Sequence, residues 1–203
     1  MWGAGFVVIA LLGISSPIVG LVLVPLLAFP TVGLFRIAAL IARGQSVSLS
    51  DGFAGWRRFG LPALATGLAV TIGAVVATWD LWAGITSDSV VGWALGTLAA
   101  WGLLLVLAVG LAFWPLLVDP ARVDRRLRDR LRLAGLLVAA FPLRIVALVI
   151  VLAVVMIASL VAFAALVTVS VAYSALVACR WVLPAADRLE ARLAMQERTT
   201  EGR

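Results

Sequence analysis

The sequence predicts an all-α polytopic integral membrane protein with five transmembrane helices and cytoplasmic interfacial amphipathic helices. Composition is the first reason. The 203 residues are 64% hydrophobic and only 13% charged, whereas a soluble domain is about half apolar and about a quarter charged. A core of this size could not bury so much apolar surface, so lipid must act as part of the solvent. Charge placement is the second reason. All 16 basic residues are arginines, gathered in three clusters with long apolar runs between them. The third reason is the polar stretch from Asp80 to Asp88, which carries acid and no arginine. Arginine-rich and arginine-free borders in alternation are what the positive-inside rule produces.

The elements follow in order. Residues 1–35 hold no charge, and about 20 apolar residues span a bilayer, so the first crossing is placed at 2–29, bent by Pro17 and Pro25. Pro30 suits a helix start and Gly44 a stop, which marks a separate short helix with Arg36 and Arg43 on one face. Ser48 and Asp51 have capping-box spacing. The helix they start runs through Phe53, Trp56 and Phe59 into a second crossing at 61–79. A short polar turn with Trp79 and Trp82 leads to a third crossing at 91–118.

Asp119-Pro120 is an N-cap acid followed by proline. It opens an amphipathic helix that ends near Pro142. Val123, Leu127, Leu131 and Val138 form its apolar stripe, and Arg122, Arg126, Arg130 and Arg132 lie outside that stripe. From Ile145 to Cys179 there are 35 uncharged residues. As one helix at about 1.5 Å per residue these would far exceed a membrane of roughly 30 Å. With arginine at both ends, two crossings are expected, at 143–163 and 165–183, with a turn near 163–168. Pro184 ends the last crossing, which closes a single membrane domain at 1–184. A cytoplasmic tail follows at 185–203, with a helix from Ala185 to Gln196. Arginine counts place 36–58, 119–144 and the tail inside and 80–88 outside, so the N-terminus is out and the C-terminus in.

The net charge of +6 and the pI near 11.4 could suggest nucleic acid. The charge sits at membrane borders and not on a polar domain, so nucleic acid is not expected as a partner. Anionic lipid headgroups are, with Arg125, Arg126 and Arg128 of the amphipathic helix as contacts. Trp56, Arg57 and Arg58, where an aromatic and two cations meet at the border, are the candidate contact with a partner or with lipid; interfacial anchoring is the plainer role for these three. No Asp, Glu, His, Lys or Arg sits in the middle of any predicted crossing, and Arg144 and Arg180 lie near helix ends where they can snorkel, which speaks against proton coupling. Catalysis is not expected either: there is no histidine, the carboxylates are scattered at borders, and no phosphate-binding loop is present. No cofactor is expected, and Cys179, the sole cysteine, is read as buried and unreactive.

Small residues recur every fourth position, as Gly92, Gly96 and Ala100 and as Ala63, Gly67 and Thr71. They suit either packing of this hairpin within one chain or a homo-oligomer interface. Gly52–Pro62, GFAGWRRFGLP, is loosely similar to the coupling loop of ABC permeases, against an ordinary interfacial helix entry.

The order of segments carries a wider resemblance. A proline-rich first crossing leads to FPTVGLFRIAALIARGQSVSLSDGFAGWRRF, then to FWPLLVDPARVDRRLRDRLRLAGLLVAAFPLRIVALVI, and finally to WVLPAADRL. Over roughly residues 8–190, through Pro30-Thr31, Phe53, Arg57-Arg58, Pro115-Leu116-Leu117 and Pro142, this resembles the YesL-like family of small bacterial membrane proteins, a domain of unknown function. A threonine-glycine-proline step typical of that family is not present in that form in the first crossing. The resemblance implies a bacterial plasma-membrane protein and an accessory component associated with carbohydrate uptake, with an ABC-type sugar permease as a possible partner. It brings no catalytic residues. The alternative is a small transporter or channel subunit.

Overall fold

The computed structural model describes residues 24–87, 89–161 and 165–201. Among these, every regular element is a helix: α1 Ala28–Ala42, α2 Leu49–Thr86, α3 Val90–Val118, α4 Leu127–Ala140, α5 Pro142–Val161 and α6 Ala165–Glu201. Short 3-10 turns precede α1 (Val24–Leu27) and follow α3 (Pro120–Arg122). Four helical stretches are long and apolar enough to cross a membrane, and a fifth is added if the bent α4–α5 pair forms one span. The protein is therefore all-α and compatible with a multi-pass membrane protein, as expected.

Local chemistry explains the helix ends. Gly44 adopts a φ of 69°, the left-handed conformation that closes a helix at little cost only for glycine. The Asp51 carboxylate accepts from the Ser48 backbone N–H at 2.8 Å and from its hydroxyl at 3.0 Å, fixing the start of α2. The Ser89 hydroxyl accepts from the Gly92 N–H at 3.0 Å and caps α3. At Phe141 the helix breaks, because the residue before proline is driven out of the α region; α4 and α5 meet there at 97°.

α2 and α3 form a long hairpin. It closes most tightly near its tip, where Gly84 packs on Gly92 and Gly96: a methyl group at Gly84 would lie 2.5 Å from the Gly96 Cα. Gly67, by contrast, faces Ala28 and Pro25 at the start of α1. These small residues thus serve packing within one chain, while Ala100 is exposed. Leu61, Leu68, Ile72, Val76, Leu98 and Trp101 are exposed along the two helices, a surface suited to lipid. The packed core lies at the other end, where α1, α3 and α6 meet α4 and α5 through Phe35, Phe113, Leu116, Leu137, Leu148 and Val182. Cys179 is in this core, as expected, with its thiol 3.8 Å from the Phe35 carbonyl.

Several expectations need correction. The short helix expected from Pro30 begins at Ala28, and Pro25–Ala42 is itself apolar and long enough to span; it is packed against α2 and α6, not simply interfacial. The first crossing at 2–29 lies mostly outside the described residues. Gly52–Pro62 is helical throughout, with Pro62 inside α2. The amphipathic helix does not run on from Pro120. It starts at Leu127, because the carbonyls of Val123 and Arg125 accept from the Arg130 guanidinium instead of from a continuing helix. Its buried face is Arg130, Leu133, Ala134 and Leu137, whereas Leu127 and Leu131 are exposed. The expected turn at 163–168 falls partly on residues 162–164, outside the described residues, and helix has resumed at Ala165. Pro184 does not end α6. The helix passes through it, held by the buried Val182, Leu183, Ala185 and Ala186; neighbouring packing can offset the hydrogen bond that proline removes.

Candidate functional site: a buried arginine–carboxylate hub

Carrying α6 past Pro184 delivers Asp187 and Glu190 to the end of the bundle where α1 and α3 terminate. Asp119, directly after α3, is 0% exposed, and Arg122, on the next 3-10 turn, is 2% exposed. Arg43, just past α1, donates a fork to Asp119 at 3.1 and 2.7 Å and a second fork to Asp187 at 2.7 and 3.1 Å. Arg122 donates to Asp119, to Asp187, and through two nitrogens to Glu190 at 3.3 and 3.0 Å. Arg125 completes the set with a 2.8 Å ion pair to Glu190. Asp119 also accepts from the Ala121 N–H at 3.2 Å, so the expected N-cap exists, as one part of a larger network.

The electrostatics follow from this geometry. The hydrogen bonds to Asp187, and then to Asp119, raise the pKa of Arg43 above its ordinary value. For Arg122 burial is the largest influence and opposes the charge, but the bonds to Glu190 and Asp187 outweigh it and the net shift is upward. Both guanidiniums are held protonated. Bidentate charge-assisted contacts of this kind are the strong class of hydrogen bond. Each carboxylate is committed to arginine, so the hub is suited to joining three helices and not to moving protons.

Two further arginines close the end of α3. Arg36 donates to the Val118 carbonyl at 2.7 Å. Arg130, 5% exposed, donates to Leu117 at 2.6 Å, Val123 at 2.6 Å and Arg125 at 2.9 Å. Cations at a helix C-terminus satisfy carbonyls that lack intrahelical donors and favourably meet the negative end of the dipole.

The residues singled out from sequence fall around this hub. Trp56 is half-buried between Phe29 and Phe53, with ring centroids at 6.1 and 6.3 Å. Arg57 and Arg58 are exposed, and Arg58 lies over the Phe59 ring at 5.8 Å. Arg126 and Arg128 are exposed, whereas Arg125 is tied to Glu190. Sequence reading missed Arg43, Asp119, Arg122, Arg130, Asp187 and Glu190 as a set. Among the described residues the ion pairs run through Asp119, Asp187 and Glu190.

Among the described residues no group of three His, Cys, Asp or Glu side chains could hold a metal ion. An open apolar groove of about 490 Å³ lies between α2, α3 and α4, lined by Ala69, Val70, Val106, Phe113, Leu127 and Leu131 among others. A groove of about 760 Å³ runs along α2 beside Thr71, Val75 and Trp79. Neither is lined by a charged side chain. No protein-family model, curated protein or solved structure matches the chain.

Proposed function

We propose that this chain is a non-catalytic accessory component of a carbohydrate-uptake system in a bacterial plasma membrane, with its N-terminus outside and its arginine-rich end in the cytoplasm. The observation that carries the adaptor part is the division of charge at that end. The hub ties Asp119, Asp187 and Glu190 to Arg43, Arg122 and Arg125, while Arg57, Arg58, Arg126 and Arg128 stay exposed. Such a surface favours an anionic leaflet by about 1 kcal/mol per basic residue. The link to carbohydrate uptake rests on the segment order shared with the YesL-like family. A sugar permease of the ABC type would meet the surface around Trp56, Arg57 and Arg58. A small transporter or channel subunit is the second reading, favoured by the open apolar groove between α2, α3 and α4.

Deleting the gene should impair growth on a particular carbohydrate while sparing growth on glucose, and permease subunits should co-purify with the tagged protein. Normal growth on every carbon source with no co-purifying partner would overturn the accessory reading. Solute uptake by the protein alone in liposomes would favour the second.

Orientation has its own test. In a Cys179→Ser background, single cysteines at Ser87 and Ala121 should react with an impermeant thiol reagent from opposite sides, Ser87→Cys in intact cells and Ala121→Cys only in inverted vesicles. Labelling of both in intact cells would sink the assignment.

A further inference from the structure

The charges at the hub do not balance. Arg36, Arg43, Arg58, Arg122, Arg125 and Arg130 stand against Asp119, Asp187 and Glu190, and the three acids are all taken by Arg43, Arg122 and Arg125. On the other flank, Arg36, Arg58 and Arg130 make no ion pair within 4.0 Å among the described residues. The geometry draws these three together. Arg36 and Arg130 hold the consecutive carbonyls of Val118 and Leu117. Arg130 and Arg58 both lie against the Phe59 ring, at 5.9 and 5.8 Å. Arg58 is the like charge that acts on each of the other two. Asp51 acts on Arg36 and Asp124 on Arg130 from a distance, and among the described residues neither forms an ion pair with them.

Helix carbonyls supply only about half an elementary charge, too little to offset three guanidiniums at the edge of a low-dielectric core. Donors are also left over. Arg36 commits one of the five N–H groups of a guanidinium. Arg58 is exposed, and among the described residues nothing accepts from the Nε of the buried Arg130.

We propose that Arg36, Arg58 and Arg130 form a binding site for a phosphate group, carried either by an anionic phospholipid headgroup or by free phosphate. Arginine forks match phosphate oxygens in pairs, and the missing negative charge is what a phosphate supplies. This deepens the lipid-contact part of the proposed function by naming the ligand, and its free-phosphate form does not depend on that reading.

The test uses the whole protein, delipidated in neutral detergent. Inorganic phosphate is titrated against tryptophan fluorescence, since Trp56 lies two residues from Arg58. In parallel, native mass spectrometry scores retention of phosphatidylglycerol against phosphatidylcholine. Wild type should bind a single equivalent in at least one arm. Arg58→Gln should weaken that binding roughly tenfold, as for loss of a charge-assisted contact. Arg192→Gln, the same change of charge at an exposed position on α6 outside the cluster, should alter it less than about twofold, as expected for a solvent-screened charge. Circular-dichroism melting should match wild type for both variants. Binding only of phosphatidylglycerol assigns the lipid source, and binding of inorganic phosphate assigns the free ion. No saturable binding in either arm, or equal losses in the two variants, overturns the site. A deletion strain that grows normally would remove the uptake reading and leave these affinities unchanged.

Discussion

Asp119→Asn is expected to destabilise the protein by about 3–5 kcal/mol, the cost of breaking the buried Asp119–Arg122 pair and leaving Arg43, Arg122 and Arg125 to share Asp187 and Glu190. For a chain of this size that lowers the unfolding midpoint by roughly 6–20 °C. Two accounts of Asp119 compete, and the asparagine variant separates them. As an N-cap alone, Asp119 would be replaced by an equally good capping residue, and the change would cost almost nothing. As the fully buried acid shared by Arg43 and Arg122, it cannot be neutralised without stranding positive charge. The companion variant Asp119→Leu with Arg122→Met removes one acid and one base. It leaves Arg43 with Asp187 and Arg125 with Glu190, and should recover most of the loss, because apolar replacement of a buried pair is often neutral. Thermal unfolding in one detergent, followed by circular dichroism, makes the comparison. A shift below about 1 kcal/mol for Asp119→Asn would return the residue to a simple cap.

The same residue shows where sequence reading stops. Asp119-Pro120 was legible as a helix-start signal because capping is local, and the Ser48–Asp51 box and the Gly44 stop were legible for the same reason. The hub was not, because its members come from segments 76 and 144 residues apart, and arginine at a membrane border reads first as a topology signal. One cue was available: Asp187 and Glu190 lie three apart, on one face of any helix that continues past Pro184. The expected helix from Ala185 to Gln196 already held both acids, but ending the crossing at Pro184 set that helix apart from the bundle, so nothing joined them to Arg43 and Arg122. The face of α4 was misassigned for a different reason. In water an apolar stripe points inward, but in lipid Leu127 and Leu131 can face outward as readily as Leu133 and Leu137 face inward. Apolar spacing then no longer identifies the core, and Arg130, assigned to the polar face, is the residue that is buried. The helical class and the apolar character of the long helices were legible because length and hydropathy determine them, whereas the span at Pro25–Ala42 was read as a short separate helix.

Gly84→Ala is the second large effect, and here two opposing terms decide the sign. Alanine in a helix interior gains about 1 kcal/mol over glycine. At Gly84, however, the new methyl would sit 2.5 Å from the Gly96 Cα and 2.7 Å from the Gly92 carbonyl oxygen. Those are backbone atoms in a facing helix, so relief requires α2 and α3 to separate along their hairpin, not merely a rotamer change. Overpacking of this kind costs typically about 1–3 kcal/mol, and more where backbone must move, so the net change should be destabilising. Gly102→Ala is the internal control: it lies in α3 with no atom of the described residues within 4 Å of the added methyl, and it should be neutral or stabilising by up to about 1 kcal/mol. The two variants have identical composition, so a difference in unfolding midpoint between them reports the helix contact alone. Because Gly84 meets Gly92 and Gly96 of the same chain, the loss should be independent of protein concentration. A loss that fades on dilution would instead place these glycines between copies of the chain. Equal midpoints for Gly84→Ala and Gly102→Ala would mean that the close approach of α2 and α3 contributes nothing to holding the hairpin together.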